Sequence, residues 1–232
     1  MLTVARKNFI AINKWPSRIL TRAMSSKGKP EDAKFLNSRL VSNADECKWI
    51  GLTKIEYLDP NGQKREWDSA VRKTRSSGGI DGVGILAILK TPGKQDEILL
   101  QKQYRPPVEG VCIEMPAGLI DGNESVEVAA LRELKEETGY VGKVVGKSPT
   151  IFNDPGFTNT NLSLVTVEID TTLPENQNLQ TQLEDNEFIE CIKVPLKTFA
   201  DEMIRLDKQG YKLDARVQNV AQGIRLAQQY NL

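Results

Sequence analysis

The stretch Gly118 to Tyr140 constrains this chain more than any other. It places Glu124, Glu127, Glu133, Glu136 and Glu137 within 14 residues. Apolar residues at Val128, Leu131 and Leu134 predict a helix with those side chains on its buried face. Ser125 or Asn123 can cap its start, and Gly139 stands where a left-handed glycine would end it. On such a helix Glu133, Glu136 and Glu137 are three and four residues apart, so they point to one side. Like charges stacked this way are destabilising unless a cation meets them. Mg²⁺ takes oxygen ligands, often a few carboxylates together with substrate phosphates. The residues therefore imply Mg²⁺-dependent chemistry on a phosphate compound.

Composition narrows the chemistry further. The chain has no histidine, which removes Ser-His-Asp and Cys-His catalysis and HExxH zinc sites. A general base must then be a carboxylate, or else Lys, Tyr or Cys. Cys47, Cys112 and Cys191 are too scattered for a disulfide framework or a CxxC metal site. Cys112 and Cys191 lie in apolar runs and read as buried thiols in a reducing compartment. The formal net charge is +0, so nothing global points to a nucleic-acid partner. No apolar run approaches the roughly 18 residues of a membrane span, so no membrane partner is expected.

Residues 1–30 differ from the rest. They carry Arg6, Lys7, Lys14, Arg18, Arg22, Lys27 and Lys29, and the first acid is Glu31. Basic, acid-free and amphipathic, this leader has the composition of a mitochondrial transit segment; a basic tail is the other reading. Met24 offers an alternative start, so the expected localisation is mitochondrial matrix, cytoplasm or both. Residues 31–47 read as a polar linker. Trp49 to Leu58 and Gln63 to Val71 flank Asp59-Pro60-Asn61-Gly62 and predict a hairpin within a 48–75 subdomain. Strands follow at Val83–Leu89, Glu97–Tyr104 and Val111–Met115. Beyond the acidic helix come strands at Lys143–Gly146, Leu162–Ile169 and Phe188–Val194, and helices at Leu196–Gln209 and Ala215–Gln229. This order argues an α+β fold, an α/β/α sandwich over 76–232 with an N-terminal antiparallel β subdomain.

Gly118, Glu124, and Arg132-Glu133-Leu134-Lys135-Glu136-Glu137-Thr138-Gly139 stand at the spacing of the Nudix box, and the chain resembles the Nudix hydrolases. Only the last, usually aliphatic, position departs; it is Tyr140, an aromatic that can fill the same apolar slot. Outside the box, Gln103-Tyr104-Arg105-Pro106-Pro107, Glu114-Met115-Pro116-Ala117-Gly118 and Asp154-Pro155-Gly156 resemble that family's ADP-ribose pyrophosphatase branch. The likeness covers roughly Lys48 to Tyr230, including the helix start Leu213-Asp214-Ala215-Arg216.

The resemblance implies an ADP-ribose diphosphatase: hydrolysis of the ADP-ribose diphosphate to AMP and ribose 5-phosphate, with Mg²⁺ as cofactor and Mn²⁺ as a substitute. Two alternatives stay open, a broader ADP-sugar hydrolase and a non-catalytic ADP-ribose sensor. Glu133, Glu137 and Glu136 are implied as metal ligands together with the Ala117 carbonyl, and Glu124 with Arg132 as a clamp aiming them. Glu187 is implied as the base, with Glu190 as runner-up; Glu136, which assists the principal ligands Glu133 and Glu137, counts with Glu187 as catalytic. Trp49 and Trp67 are implied as adenine contacts from two subunits of a homodimer, with Asp68 reading the base edge; both tryptophans as core aromatics is the other reading. Arg72 and Arg105 are implied to hold the diphosphate and ribose, and Asp154 to Phe157, including Gly156, to form a substrate loop.

Overall fold

The computed structural model describes residues 28–39, 43–75 and 78–232. Residues 1–27, which hold most of the expected transit leader, and Met24 with it, lie outside the described residues. The architecture is three-layered. A mixed sheet carries one helix on one face and two on the other, and a separate two-stranded hairpin precedes it.

The hairpin pairs β1 (Ile50–Leu58) with β2 (Lys64–Arg72) in antiparallel register, Leu58 opposite Lys64 and Ile50 opposite Arg72. Asp59 makes the turn: its carboxylate accepts from the Asn61 and Gln63 backbone amides and from Arg65. In the main sheet, β3 (Gly82–Lys90) runs parallel to β9 (Asn161–Asp170) along its whole length. β4 (Glu97–Arg105) is flanked by β10 (Ile189–Pro195) and β5 (Gly110–Glu114). β7 (Lys143–Lys147), β8 (Ile151–Phe152) and β11 (Lys212–Leu213) finish the edges.

The splay between β3 and β4 creates the site. They pair only at Ile88–Ile98 and Leu89–Glu97, then diverge. Into the opening comes β6 (Ala117–Leu119), which pairs with Gly82, Val83 and Gly84. The strand ends at Gly82 and Arg105 thus stand apart, with the start of the acidic segment between them.

Strand alternation assigns the two cores. Val83, Ile85, Ala87, Leu89 and Leu99 face α1 (Val126–Thr138) and pack on Ala129, Ala130 and Leu134. Ile98, Leu100, Ile113, Ile192 and Val194 face the other way. They pack on Phe199, Met203 and Leu206 of α2 (Phe199–Lys208) and on Val217 and Ala221 of α3 (Ala215–Tyr230). Each fully buried Leu or Ile contributes roughly 1.5–3 kcal/mol. Cys112 and Cys191 are buried as expected, and burial pushes their thiols up to about 11 and about 12.

Two sequence expectations change. Val128 and Leu131 are exposed; the buried stripe of α1 is Ala129, Ala130 and Leu134, with Glu137 and Thr138. Small alanines let the helix lie close to the sheet, and the larger residues are left outside. The polar linker expected over 31–47 also starts bound to the core. Pro30 is buried, and Glu31 accepts from Lys102 of β4 at 3.0 Å and from the Tyr211 hydroxyl at 2.9 Å.

Candidate active site

α1 begins where Ser125 Oγ accepts from the Val128 amide and ends at Gly139, whose φ of 74° is the left-handed conformation that favours glycine. Gly139 also lies against the Gln180 backbone, so a side chain there has no room. Gln182 N donates to the Glu136 carbonyl at 2.7 Å, satisfying one of the unpaired carbonyls of the last helical turn. The helix end thereby holds the 180–187 loop against itself. Tyr140 fills the apolar slot after Gly139 at 2% exposure.

Arg132 is the hub. Its guanidinium reaches Glu124 at 2.6 Å and 3.2 Å, Glu133 at 2.9 Å, Glu136 at 3.0 Å and the Leu119 carbonyl at 2.9 Å. Those contacts join the helix to the loop before it and turn Glu133 and Glu136 one way. Gly118 completes this packing: a Cβ there would lie 1.9 Å from the Glu133 carboxyl carbon. Any other residue would expel that carboxylate.

Glu137 turns inward instead. It is 6% exposed, and its Oε2 accepts from Gln101 Nε2 at 2.9 Å and from the Ala117 amide at 3.1 Å. Burial, with the charges of Glu133 and Glu187 added, pushes its carboxyl up to about 8. Glu133 is raised too, first by burial and then by Glu136 and Glu187, against the pull of Arg132. Glu187 is therefore within electrostatic reach of both. Its side chain accepts from the Glu184 amide at 2.9 Å. The runner-up, Glu190, sits opposite Lys102 in the β4–β10 register and pairs with it at 3.6 Å. Strand alternation places it with Ile192 and Val194, on the face away from α1.

Among the described residues no three acidic or thiol groups are already gathered as a ligand cage. The donor set nevertheless fits a hard divalent cation. Glu133, Glu136 and Glu137 are carboxylates beside the Ala117 segment, with Glu133 and Glu137 raised first by burial and then by neighbouring charge.

Beside these carboxylates lies a cleft of about 270 Å³ bordered by Ala117, Gly118 and Leu119 and by three arginines, Arg72, Arg105 and Arg216. Arg105 grips Glu114 through two hydrogen bonds of 2.7 Å. Arg216 grips Asp214 in the same way, at 2.8 Å and 2.7 Å. Reading the residues singly does not reveal Arg216 as a cleft residue; its only trace in the sequence is the Asp214-Ala215-Arg216 helix start.

The hairpin residues scatter. Trp49 and Trp67 are 58% and 50% exposed, which removes the core-aromatic reading. Trp67 donates from Nε1 to the Gly156 carbonyl at 3.0 Å, bringing the 154–157 loop to β2. Trp49 lies across from Lys73, whose amide donates to its carbonyl. Six residues of strand then separate the tryptophans, about 20 Å at 3.3 Å per residue. Asp68 points to the opposite face from Trp67 and pairs with Lys54 at 2.9 Å. One chain therefore does not bring Trp49, Trp67 and Asp68 around one base.

The NUDIX domain model matches residues 80–215. The chain is 72% identical to the ADP-ribose pyrophosphatase of Saccharomyces cerevisiae, across 93% of this chain and 94% of that protein. It is 36% identical to the ADP-sugar pyrophosphatase of Mus musculus, across 83% of this chain and 88% of that one. A solved structure described as an ADP compounds hydrolase matches at TM-score 0.55 and 18% identity, covering 89% of this chain and 98% of that one; it shares the fold.

Proposed function

The chain belongs to the Nudix family, and from that premise we propose that it hydrolyses ADP-ribose to AMP and ribose 5-phosphate with Mg²⁺, or Mn²⁺ in its place. The observation that carries this reading is the contact between two opposite surfaces. Ala117 and Gly118, which lie against Glu137 and Glu133, line a cleft whose other walls hold Arg72, Arg105 and Arg216. A diphosphate needs cationic donors along its oxygens, and guanidinium groups supply them in fixed geometry. Similarity to the yeast ADP-ribose pyrophosphatase supports ADP-ribose as substrate. Similarity to the mouse ADP-sugar pyrophosphatase supports a pocket open to related ADP-sugars.

Glu133, Glu136 and Glu137, with the Ala117 carbonyl, would hold the divalent ion. When bound, it supplies charge neutralisation of the diphosphate and activation of water. Arg132, anchored by Glu124, orients Glu133 and Glu136 and keeps them from relaxing apart. Arg72, Arg105 and Arg216 bind the diphosphate, with the Asp154–Gly156 loop closing beside it. Glu187 accepts the proton of the attacking water, its loop pinned to α1 through Gln182. Trp49 and Trp67 stack adenine across two copies of the chain, a homodimer supported by their exposure and their separation within one chain. The basic leader directs a mitochondrial form, and a start at Met24 a cytoplasmic one; a reporter fused to residues 1–30 tests this, and a diffuse signal would rule out import.

The direct test follows products from ADP-ribose with Mg²⁺ and with excess chelator. AMP and ribose 5-phosphate in equal amounts, abolished by chelation, are expected. Binding of ADP-ribose without turnover would favour a sensor instead.

A further inference from the structure

β4 is apolar through its buried middle apart from Gln101. Ile98, Leu99 and Leu100 are fully buried, and Gln101 is 2% exposed. Its cross-strand neighbours are Glu114 of β5 and Cys191 of β10, both buried. By strand alternation Gln101 shares the face of Leu99, which packs toward α1. An apolar side chain would suit that position, since burying an amide costs roughly 1–3 kcal/mol unless it is hydrogen-bonded.

The amide finds its partner on α1. Gln101 Nε2 donates to Oε2 of Glu137 at 2.9 Å, and the Ala117 amide donates to the same oxygen at 3.1 Å. Among the described residues no donor reaches Oε1. Two donors on one oxygen, one from β4 and one from β6, fix the carboxylate plane and leave the other oxygen uncommitted. The Ala117 donor belongs to the backbone, so Gln101 is the part of this arrangement that sequence can change.

We infer that Gln101 is a positioning residue, holding Glu137 by Oε2 so that Oε1 is the oxygen offered to the divalent ion. This rests on the proposed role of Glu137 as a metal ligand. Neighbours that orient a ligating side chain typically matter ten- to a hundredfold in metal affinity or activity. Gln101 supplies that orientation from a strand whose other buried side chains only pack.

The test uses Gln101→Met, close in volume and flexibility but without a donor. Mn²⁺ alone is titrated into the metal-free full chain, with free Mn²⁺ read by electron paramagnetic resonance. The expected result is roughly ten- to hundredfold weaker binding, with thermal unfolding of the metal-free protein unchanged or raised. In a Glu137→Gln background the same substitution should change Mn²⁺ binding less than about twofold, because the two residues act as one unit. Gln101→Asn, which keeps a shortened donor, should fold and fall between wild type and Gln101→Met. Equal Mn²⁺ dissociation constants for wild type, Gln101→Met and Gln101→Asn would overturn the inference, as would the same loss in both backgrounds. A wild-type chain that does not bind Mn²⁺ would instead overturn the metal reading of Glu137, and this inference with it.

Discussion

The box helix and the hairpin carry the two most conspicuous residue sets of the chain, and they are built in opposite ways. Around α1 nearly every functional side chain is fixed more than once. Glu137 has two donors, Arg132 has five close contacts, and Gly118 leaves room for one carboxylate only. Along β1 eight of nine residues are exposed and the ninth is half-buried. A two-stranded hairpin is marginal alone in water. Here it is tied to the rest by the Trp67–Gly156 hydrogen bond and by Ala70 N donating to the Phe157 carbonyl at 3.0 Å. On the proposed reading, chemistry sits where one chain over-determines the geometry, and base recognition on a surface that a second copy would complete.

The largest of three graded effects tests the over-determined side. Gly118→Ala puts a methyl where the Glu133 carboxylate lies, and a displacement near 1 Å at a reacting site costs roughly 10²-fold in rate. We expect kcat to fall by about that factor with little change in KM; an unchanged kcat would show that Glu133 tolerates movement.

The next effect is electrostatic. Burial first, then Glu133 and Glu187, hold the Glu137 carboxyl at about 8 in the folded chain against an ordinary 4.5. Between those values the folded state binds more protons than the unfolded state. Without metal, the contribution of Glu137 to stability is therefore fullest below about 4.5 and declines as pH rises toward 8. Urea unfolding in chelator should show that slope, and Glu137→Gln should flatten it. Mn²⁺ affinity should rise over the same pH range as the competing proton leaves.

The smallest effect belongs to the hairpin. Lys54 and Asp68 form an exposed pair, so Asp68→Ala should leave the urea midpoint of unfolding essentially unchanged. A larger loss on dilution-sensitive unfolding would place Asp68 in a subunit contact.

The sequence revealed the box because its spacing is local: Glu124, Arg132 and Glu133 lie within three helical turns, and Ser125 and Gly139 mark the ends. It concealed what forms only when distant strands meet. Arg216 joins Arg72 across 144 residues of chain, and Gln101 looks like the first residue of the polar half of its strand until Glu137 packs over it. Glu187 and Glu190 are equivalent in a list of acids; the pleat of β10 separates them by sending Glu190 to the other face. Val128 and Leu131 misled because hydrophobicity favours them, whereas close helix–sheet packing favours Ala129 and Ala130. The short strands β6, β8 and β11 have too few residues for any periodicity to show.

The most direct measurement compares steady-state kinetics of Glu137→Gln and Trp67→Ala with ADP-ribose at saturating Mg²⁺. If the box performs chemistry and the hairpin performs recognition, Glu137→Gln loses on the order of 10²–10³ in kcat with KM nearly constant. Trp67→Ala would then keep kcat within about twofold and raise KM by roughly 5- to 100-fold, the loss of one stacking face. Both variants moving the same parameter would contradict that division.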